Sequence, residues 1–350
     1  MTPISSRIWN HIASAQRILL HCHPNTDGDS VGSVLAMAHV LIGLGKTVTV
    51  IAGDNDPLPD YLSFLPGYQT ILAKDFFQIN VNDFDLFLIL DTGAPIQISR
   101  KGDISFPLAI PTVVIDHHVS NTAFGTENLI DTEAPATAQI LYYLFKEWGI
   151  DINHNIALCL FIGIYTDTGG FKFLRTSEKT FRMAAALANK VPEFTEYIFT
   201  LENSNSPGWT VFMKIAYANI RVLYNAVAIS SISYEEITHN NINRNELNTS
   251  MFAGILKSIR GWNIGIMCTE EKPGETKISF RTRDAVQYDV TKLAAALGGG
   301  GHPAAAATYL KAPLDIVFKQ IQEILPRIYP TLTLTTQPIF EKTTYLKKSQ

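Results

Sequence analysis

Residues 112–125 read TVVIDHHVSNTAFG. Four β-branched residues run straight into an aspartate and two histidines, and a polar, turn-forming stretch follows. A short unbroken run of this kind, with no alternation of apolar and polar positions, predicts a strand covered on both faces, as in a parallel sheet. Its carboxyl end carries Asp116, His117 and His118. The pattern recurs. Residues 17–23 (RILLHCH) lead into HPNTDGDSVGS, with His23, Asp27 and Asp29, and residues 85–91 (DLFLILD) deliver Asp91 in LILDTG. Residues 46–52 (KTVTVIA) supply another strand. Between and after them, residues 30–44, 136–148, 155–165 and 177–189 carry helical patterns, and the third of these runs into GIYTDTGGF, with Asp167. Strands alternating with helices predict an α/β fold whose N-terminal part is a mainly parallel sheet flanked by helices. In open sheets of that kind ligands bind beyond the carboxyl ends of the strands. The four clusters are therefore expected to converge on one crevice.

An aspartate after a strand is usually a turn former or a helix cap. Four clusters, each at the end of a hydrophobic element, argue for metal binding instead. The donors are carboxylate and imidazole without thiolate, which suits Mn²⁺, Mg²⁺, Co²⁺ or Zn²⁺. Six candidate ligands are too many for one ion and suit two sharing a carboxylate. Two ions about 4 Å apart are the usual apparatus for hydrolysing phosphate esters.

The chain has 350 residues, a formal net charge of −4 and 46% hydrophobic residues. That length predicts two domains and that composition a globular chain. The charge excludes a protein that coats long nucleic acid by bulk attraction. The three cysteines are far apart, which suits a reducing cytosol and a cytoplasmic protein. No apolar run has the length of a membrane helix, and the first residues lack the pattern of a signal peptide. The expected division is a metal-binding domain over residues 1–190, a linker and connecting helix over 191–223, a smaller α/β domain over 224–330 and a tail over 331–350. In the smaller domain, residues 226–234, two segments around the turn 272–275, and 305–310 read as strands, and 245–260, 290–297 and 314–328 as helices.

The four motifs together resemble the DHH phosphoesterase superfamily, named for the triplet found here at Asp116–His118. HPNTDGDSVGS is similar to the family's first motif, except that Thr26 stands where a proline is usual. SFRTRD (residues 279–284) and DVTKLAAALGGGGHPAAAA (289–307) resemble the DHH-associated C-terminal domain with its GGGH motif, Gly299–His302, although Ala307 stands where a glycine is common. The pairing implies the branch of short-RNA nucleases and pAp phosphatases (NrnA-like proteins). It implies two divalent ions, most often Mn²⁺ with Mg²⁺ or Co²⁺ as alternatives, and an active site in the cleft between the domains. One ion would take His23, Asp27 and Asp91, and the other Asp29, Asp91, His117 and Asp167. His118 would face the scissile phosphate, with Asp116 orienting the histidine pair. Arg281, Arg283, Gly299, Gly300, Gly301 and His302 would hold the substrate. The implied partners are short RNA or small phosphonucleotides, not a membrane or a long duplex, and a homodimer is open.

Two rivals are a manganese inorganic pyrophosphatase, against which the GGGH run argues, and a nucleotide sensor without catalysis, against which the full donor set argues. A long-DNA exonuclease of the RecJ kind carries further nucleic-acid-binding modules for which 350 residues leave no room. Gly45-Lys46-Thr47 resembles a phosphate-binding loop but lacks the preceding glycine and leads from helix to strand. His21, two residues before His23 on a strand, is a candidate spare or supporting ligand.

Overall fold

Why the acids collect at one edge follows from the strands. The computed structural model describes residues 1–332 except 25, 54–57, 100, 103, 108, 225, 245, 246 and 248. Two units divide at Ser204 and Asn205. The first runs α1 (Pro3–Ser14), β1 (Arg17–His21), α2 (Gly28–Gly43), β2 (Thr47–Ile51), β3 (Leu86–Leu90), β4 (Thr112–Asp116), β5 (Glu127–Ile130), α3 (Thr137–Glu147), α4 (His154–Asp167), α5 (Glu178–Ala188) and α6 (Phe194–Glu202). The strands form one sheet in the order β2-β1-β3-β4-β5, every pair parallel. All carboxyl ends therefore lie along the same edge.

β3 and β4 are buried throughout. Leu86, Leu88 and Leu90 face the larger core, built with the helices; Phe87 and Ile89 face a second core with Phe76, Val81 and Ile98. The helices lie on the first face. The second core is closed in part by short 3-10 turns, Phe76–Gln78, Val81–Asp83 and Pro95–Gln97. α2 and α4 approach closely because glycines remove the obstacle between them. A Cβ on Gly32 would sit 2.4 Å from the Cys159 carbonyl, and one on Gly28 2.3 Å from Thr166 Oγ1.

The second unit runs α7 (Pro207–Ala218), β6 (Arg221–Leu223), β7 (Val227–Ile232), α8 (Tyr234–His239), α9 (Thr249–Ser258), β8 (Ile264–Lys272), β9 (Glu275–Thr282), α10 (Thr291–Ala296), β10 (Gly300–His302), β11 (Ala305–Leu310) and α11 (Leu314–Ile328). The sheet order is β10-β11-β9-β8-β7-β6, with β7 and β8 parallel and the other pairs antiparallel. Val227, Ile229, Ile266 and Phe280 pack towards α10 and α11, while Ala228, Ile232 and Met267 pack with Trp209, Phe212 and Phe252 of α7 and α9.

The helix expected to reach residue 223 ends at Ala218, and the chain continues as the edge strand β6. Of the segment read as a linker, α6 packs Phe194, Tyr197, Ile198 and Leu201 onto the first core. The tail beyond residue 332 lies outside the described residues. Among the described residues no helix is long and apolar enough to cross a membrane.

Candidate metal centre

β1 stops at His21, so His23 stands in the turn that leads to α2. Its N–H donates to Ser30 Oγ (3.2 Å) and its Nδ1 lies 3.0 Å from the Pro24 carbonyl. With Nδ1–H spent on that carbonyl, Nε2 is the ring nitrogen that faces the site. Nε2 lies 3.8 Å from Asp27 Oδ2 and 3.4 Å from Asp91 Oδ2. Asp27 is the N-cap of α2: its Oδ1 accepts from the N–H groups of Asp29 (3.1 Å) and Ser30 (3.0 Å), which leaves Oδ2 for the site.

Asp29, in the first turn of α2, is buried. Its oxygens accept from Thr137 N (2.6 Å), Ala138 N (3.0 Å) and Ser33 Oγ (3.1 Å). Those two amides open α3, whose N-cap residue, Ala136, supplies no side-chain cap. Asp29 therefore caps α3 from a distant element, and the positive end of the helix helps to hold its charge.

Asp91 follows β3 directly, at φ +56°, a left-handed conformation that aspartate tolerates better than most residues. Its Oδ1 accepts from Thr137 Oγ1 (3.1 Å) and lies 3.5 Å from His117 Nε2 and 3.7 Å from His118 Nδ1. Burial would raise its pKa, but the hydrogen bond from His23 and the charges of His117, His23 and His118 outweigh that and hold it below the carboxylate range. His23 mirrors this: burial works against its proton, yet Asp91 and Asp27 push it up to about 10.

The two histidines after β4 have different settings. His117 Nδ1 lies 3.2 Å from the Ala134 carbonyl, which fixes the proton there and turns Nε2 to Asp91 and, at 3.3 Å, to Asp167 Oδ2. Burial, ahead of the opposing Asp91 charge, lowers its pKa, so it offers a lone pair. His118 Nδ1 lies 2.6 Å from Asp116 Oδ1. Burial disfavours its charge, but Asp116 and Asp91 push it up to about 9. Asn121 fixes Asp116 in turn, its Nδ2 donating to Asp116 Oδ2 (2.6 Å) and the Thr92 carbonyl (3.1 Å).

Asp167 ends α4. Burial, then the charges of Asp29, Asp91 and Asp27, raise its pKa, and Asp29 is raised by burial, Asp91 and Asp27. Three sets of donor atoms lie within 4.8 Å of one another: His23, Asp27 and Asp91; Asp29, His117 and Asp167; and Asp91, His117 and His118. Seven first-unit residues singled out in the sequence thus lie in these sets, and Asp116 adjoins them through His118. Carboxylates that raise one another's pKa, beside histidines aimed by their distal nitrogens, fit a site for divalent cations.

His21 does not join them. It is buried edge-on against Phe87 (5.9 Å), its ring nitrogens have no hydrogen-bond partner among the described residues, and burial followed by the His23 charge lowers it to about 3. The supporting residues Ser33, Ala134 and Thr137 went unread in the sequence, since two of the three act through backbone groups far from any motif.

In the second unit Arg281 lies on β9, opposite Ala305 and Gly265. Arg283 is one residue past that strand, and its Nε and Nη2 donate to the carbonyls of Lys257 (3.1 Å) and Ser258 (2.8 Å) at the end of α9. Lys257, absent from the sequence reading, donates to the Thr282 carbonyl; burial and then Arg281 and Arg283 lower its pKa. Gly300–His302 form the exposed edge strand. Gly298 (φ +78°) turns the chain out of α10, Gly301 (φ +143°) lies within β10, and a Cβ on Gly299 would meet the Ala307 carbonyl at 2.3 Å. Ala307 pairs with Gly300 within the ladder, so an alanine fits there.

Comparison with known proteins agrees with this architecture. Residues 17–164 match the DHH family N-terminal domain and residues 219–328 the DHHA1 domain. The chain is 28% identical over 313 residues to the bifunctional oligoribonuclease and PAP phosphatase NrnA of Thermus thermophilus, covering 87% of this chain and 88% of that one. It is 26% identical over 293 residues to the protein of the same name in Bacillus subtilis, covering 83% and 88%. The crystal structure of an exopolyphosphatase-related protein from Bacteroides fragilis superposes with a TM-score of 0.85 at 24% identity, over 95% of this chain and 98% of that one, a likeness of fold. With His117 and His118 of the triplet in its donor sets, the chain carries a DHH family N-terminal domain followed by a DHHA1 domain.

Proposed function

We propose that the protein is a two-metal phosphodiesterase that hydrolyses short oligoribonucleotides to nucleoside monophosphates, and that 3′-phosphoadenosine 5′-phosphate and linear dinucleotides are further substrates. The observation that carries this reading is the group of donor sets sharing Asp91 and His117, beside a histidine charged by its own aspartate. His23, Asp27 and Asp91 would hold one ion, and Asp29, Asp91, His117 and Asp167 the other. When bound, divalent ions, manganese by preference, polarise a phosphoryl oxygen and acidify the attacking water. The chain's own residues do the rest. His118, pushed up to about 9, carries its proton at neutral pH and donates from Nε2 to the phosphoryl or leaving oxygen. Asp116 holds the other ring nitrogen, and Asn121 keeps Asp116 from turning away. Asp29, tied to two amides and a hydroxyl, gives the cluster a fixed edge.

Arg281, His302 and the turn Gly299–Gly301 are proposed to hold the remainder of the substrate. Arg283 joins them through Nη1, its Nε and Nη2 being engaged at α9. The protein is placed in the cytoplasm, which its three buried free thiols suit. The test gives manganese-loaded protein end-labelled RNAs of graded length, 3′-phosphoadenosine 5′-phosphate and pyrophosphate. Dinucleotides to pentanucleotides should be cut much faster than a chain of about two dozen, with little salt dependence, since few phosphates are contacted. Pyrophosphate cleaved faster than every RNA would replace this reading with a manganese pyrophosphatase.

A further inference from the structure

The loop after Asp167 has features that the chemistry above does not use. The chain leaves α4 through three successive left-handed residues, Gly169 (φ +59°), Gly170 (φ +69°) and Phe171 (φ +65°). Thr168 organises it. Its carbonyl accepts from the N–H groups of Lys172 (2.9 Å) and Phe173 (3.0 Å), and its Oγ1 accepts from Phe171 N–H (2.9 Å) while donating to the Ile164 carbonyl (2.6 Å). The loop is thus held rigidly two to eight residues from a candidate ligand.

Phe171 turns inward against Phe161, Tyr165 and Phe181. Phe173 does not. Its ring lies on Gly169, where a Cβ would meet Cζ at 2.5 Å, and the residue is 56% exposed with no aromatic neighbour among the described residues. The glycine gives the ring a seat beside Asp167 and leaves much of it to solvent. Arg175 follows, eight residues past Asp167 on the same loop, exposed and without an ion pair among the described residues. A flat apolar face and an uncommitted guanidinium, both on a stiff loop beside the donor cluster, match a nucleotide, which offers a π-face and phosphates.

We propose that Phe173 is the platform on which the base of the bound nucleotide stacks, and that Arg175 binds the phosphate next to the one held in the donor cluster. This rests on the phosphodiesterase reading for the choice of ligand and adds a recognition element in the first unit. Because every base has a π-face, the platform selects nucleotides over other phosphate esters without selecting among bases.

Calorimetry of the full chain in manganese, with AMP, ribose 5-phosphate and 3′-phosphoadenosine 5′-phosphate, tests it. Phe173→Ala should weaken AMP about tenfold and leave ribose 5-phosphate unchanged, while Phe173→Trp should keep AMP affinity. Arg175→Ala should weaken 3′-phosphoadenosine 5′-phosphate about tenfold more than AMP. Equal losses for AMP and ribose 5-phosphate, no loss for either, or a parent protein that binds the two equally would overturn the stacking role. Equal losses for AMP and 3′-phosphoadenosine 5′-phosphate in Arg175→Ala would overturn the phosphate role. Turnover of a dinucleotide is measured alongside: a protein that binds AMP through Phe173 yet cuts nothing keeps this inference and loses the phosphodiesterase reading.

Discussion

Replacing Asp91 by asparagine separates the metal site from the fold. Asparagine matches aspartate in size and accepts the left-handed backbone found at residue 91. What is lost is the charge facing His23 at 3.4 Å and His117 at 3.5 Å, and an anionic donor in two of the three donor sets. A ligand present at ~100 times its dissociation constant stabilises a protein by about 2.7 kcal/mol. In a unit of this size each kcal/mol moves the unfolding midpoint by roughly 2–4 °C, so manganese should raise it by about 5–11 °C in the parent protein. A carboxylate shared by both ions accounts for most of that, and the shift in Asp91→Asn should fall to about 2 °C or less. Turnover of a dinucleotide should fall at least about a thousandfold, the rate equivalent of several kcal/mol of lost charge stabilisation. The assay is thermal unfolding with chelator and with manganese, beside a turnover measurement. The metal-free variant should unfold within a few degrees of the parent. A variant folded by circular dichroism that kept the full manganese shift and near-parental turnover would refute the shared-carboxylate assignment.

Two further outcomes follow from packing and from charge. Gly32→Ala places a Cβ 2.4 Å from one backbone atom of α4, the Cys159 carbonyl, and 3.1 Å from another, Gly163 N, and neither can swing aside. Overpacking of about 1–3 kcal/mol should exceed the ~1 kcal/mol that alanine gains in a helix, lowering the midpoint and weakening manganese binding as Asp29 and Asp167 move apart; Gly43→Ala, with open space around it, should do neither, and equal midpoints would count against the close-approach argument. The second concerns pH in the metal-free protein. His118 is pushed up to about 9 from an ordinary value near 6.5, so its stabilisation is fully present below about 6.5 and is lost as pH rises through about 9. Asp116→Asn removes the partner chiefly responsible and should flatten midpoint against pH across that window; parallel profiles for variant and parent would show that the pair is not responsible.

The strands and the donors they present were legible because both are local. LFLIL and TVVID are buried along their whole length, and an aspartate or histidine at the end of each needs no distant partner to be noticed. The supports were not legible. Asp29 is held by amides more than a hundred residues away, at a helix start with no capping side chain of its own to mark it. His117 is aimed by the carbonyl of Ala134, a group every residue possesses. β5 reads ENLI, too short and too polar to announce itself, and it forms because β4 offers an open edge. Arg283 shares the run SFRTRD with Arg281, but β9 ends at Thr282, and the side chain turns back to the end of α9.

The charge distribution joins site to substrate. Asp27, Asp29, Asp91, Asp116 and Asp167 collect at one edge of the sheet, and the buried Asp29 and half-buried Asp167 are raised in part by the charges of their neighbours. A phosphodiester brings further negative charge to that edge. Three histidines and the start of α3 offset only part of it, so phosphate and carboxylates repel each other unless cations lie between them. The same feature makes the cluster costly to bury and selective in use. Residues that would destabilise the fold when fully ionised become favourable once divalent ions are shared among them. An anionic substrate is then drawn to the few positions where those ions, His118 and the rim cation Arg175 outweigh the aspartates. A net charge of −4 over the whole chain gives a long polyanion little to follow. Attraction confined to one small region of a chain with no net positive charge is the physical basis for expecting short substrates.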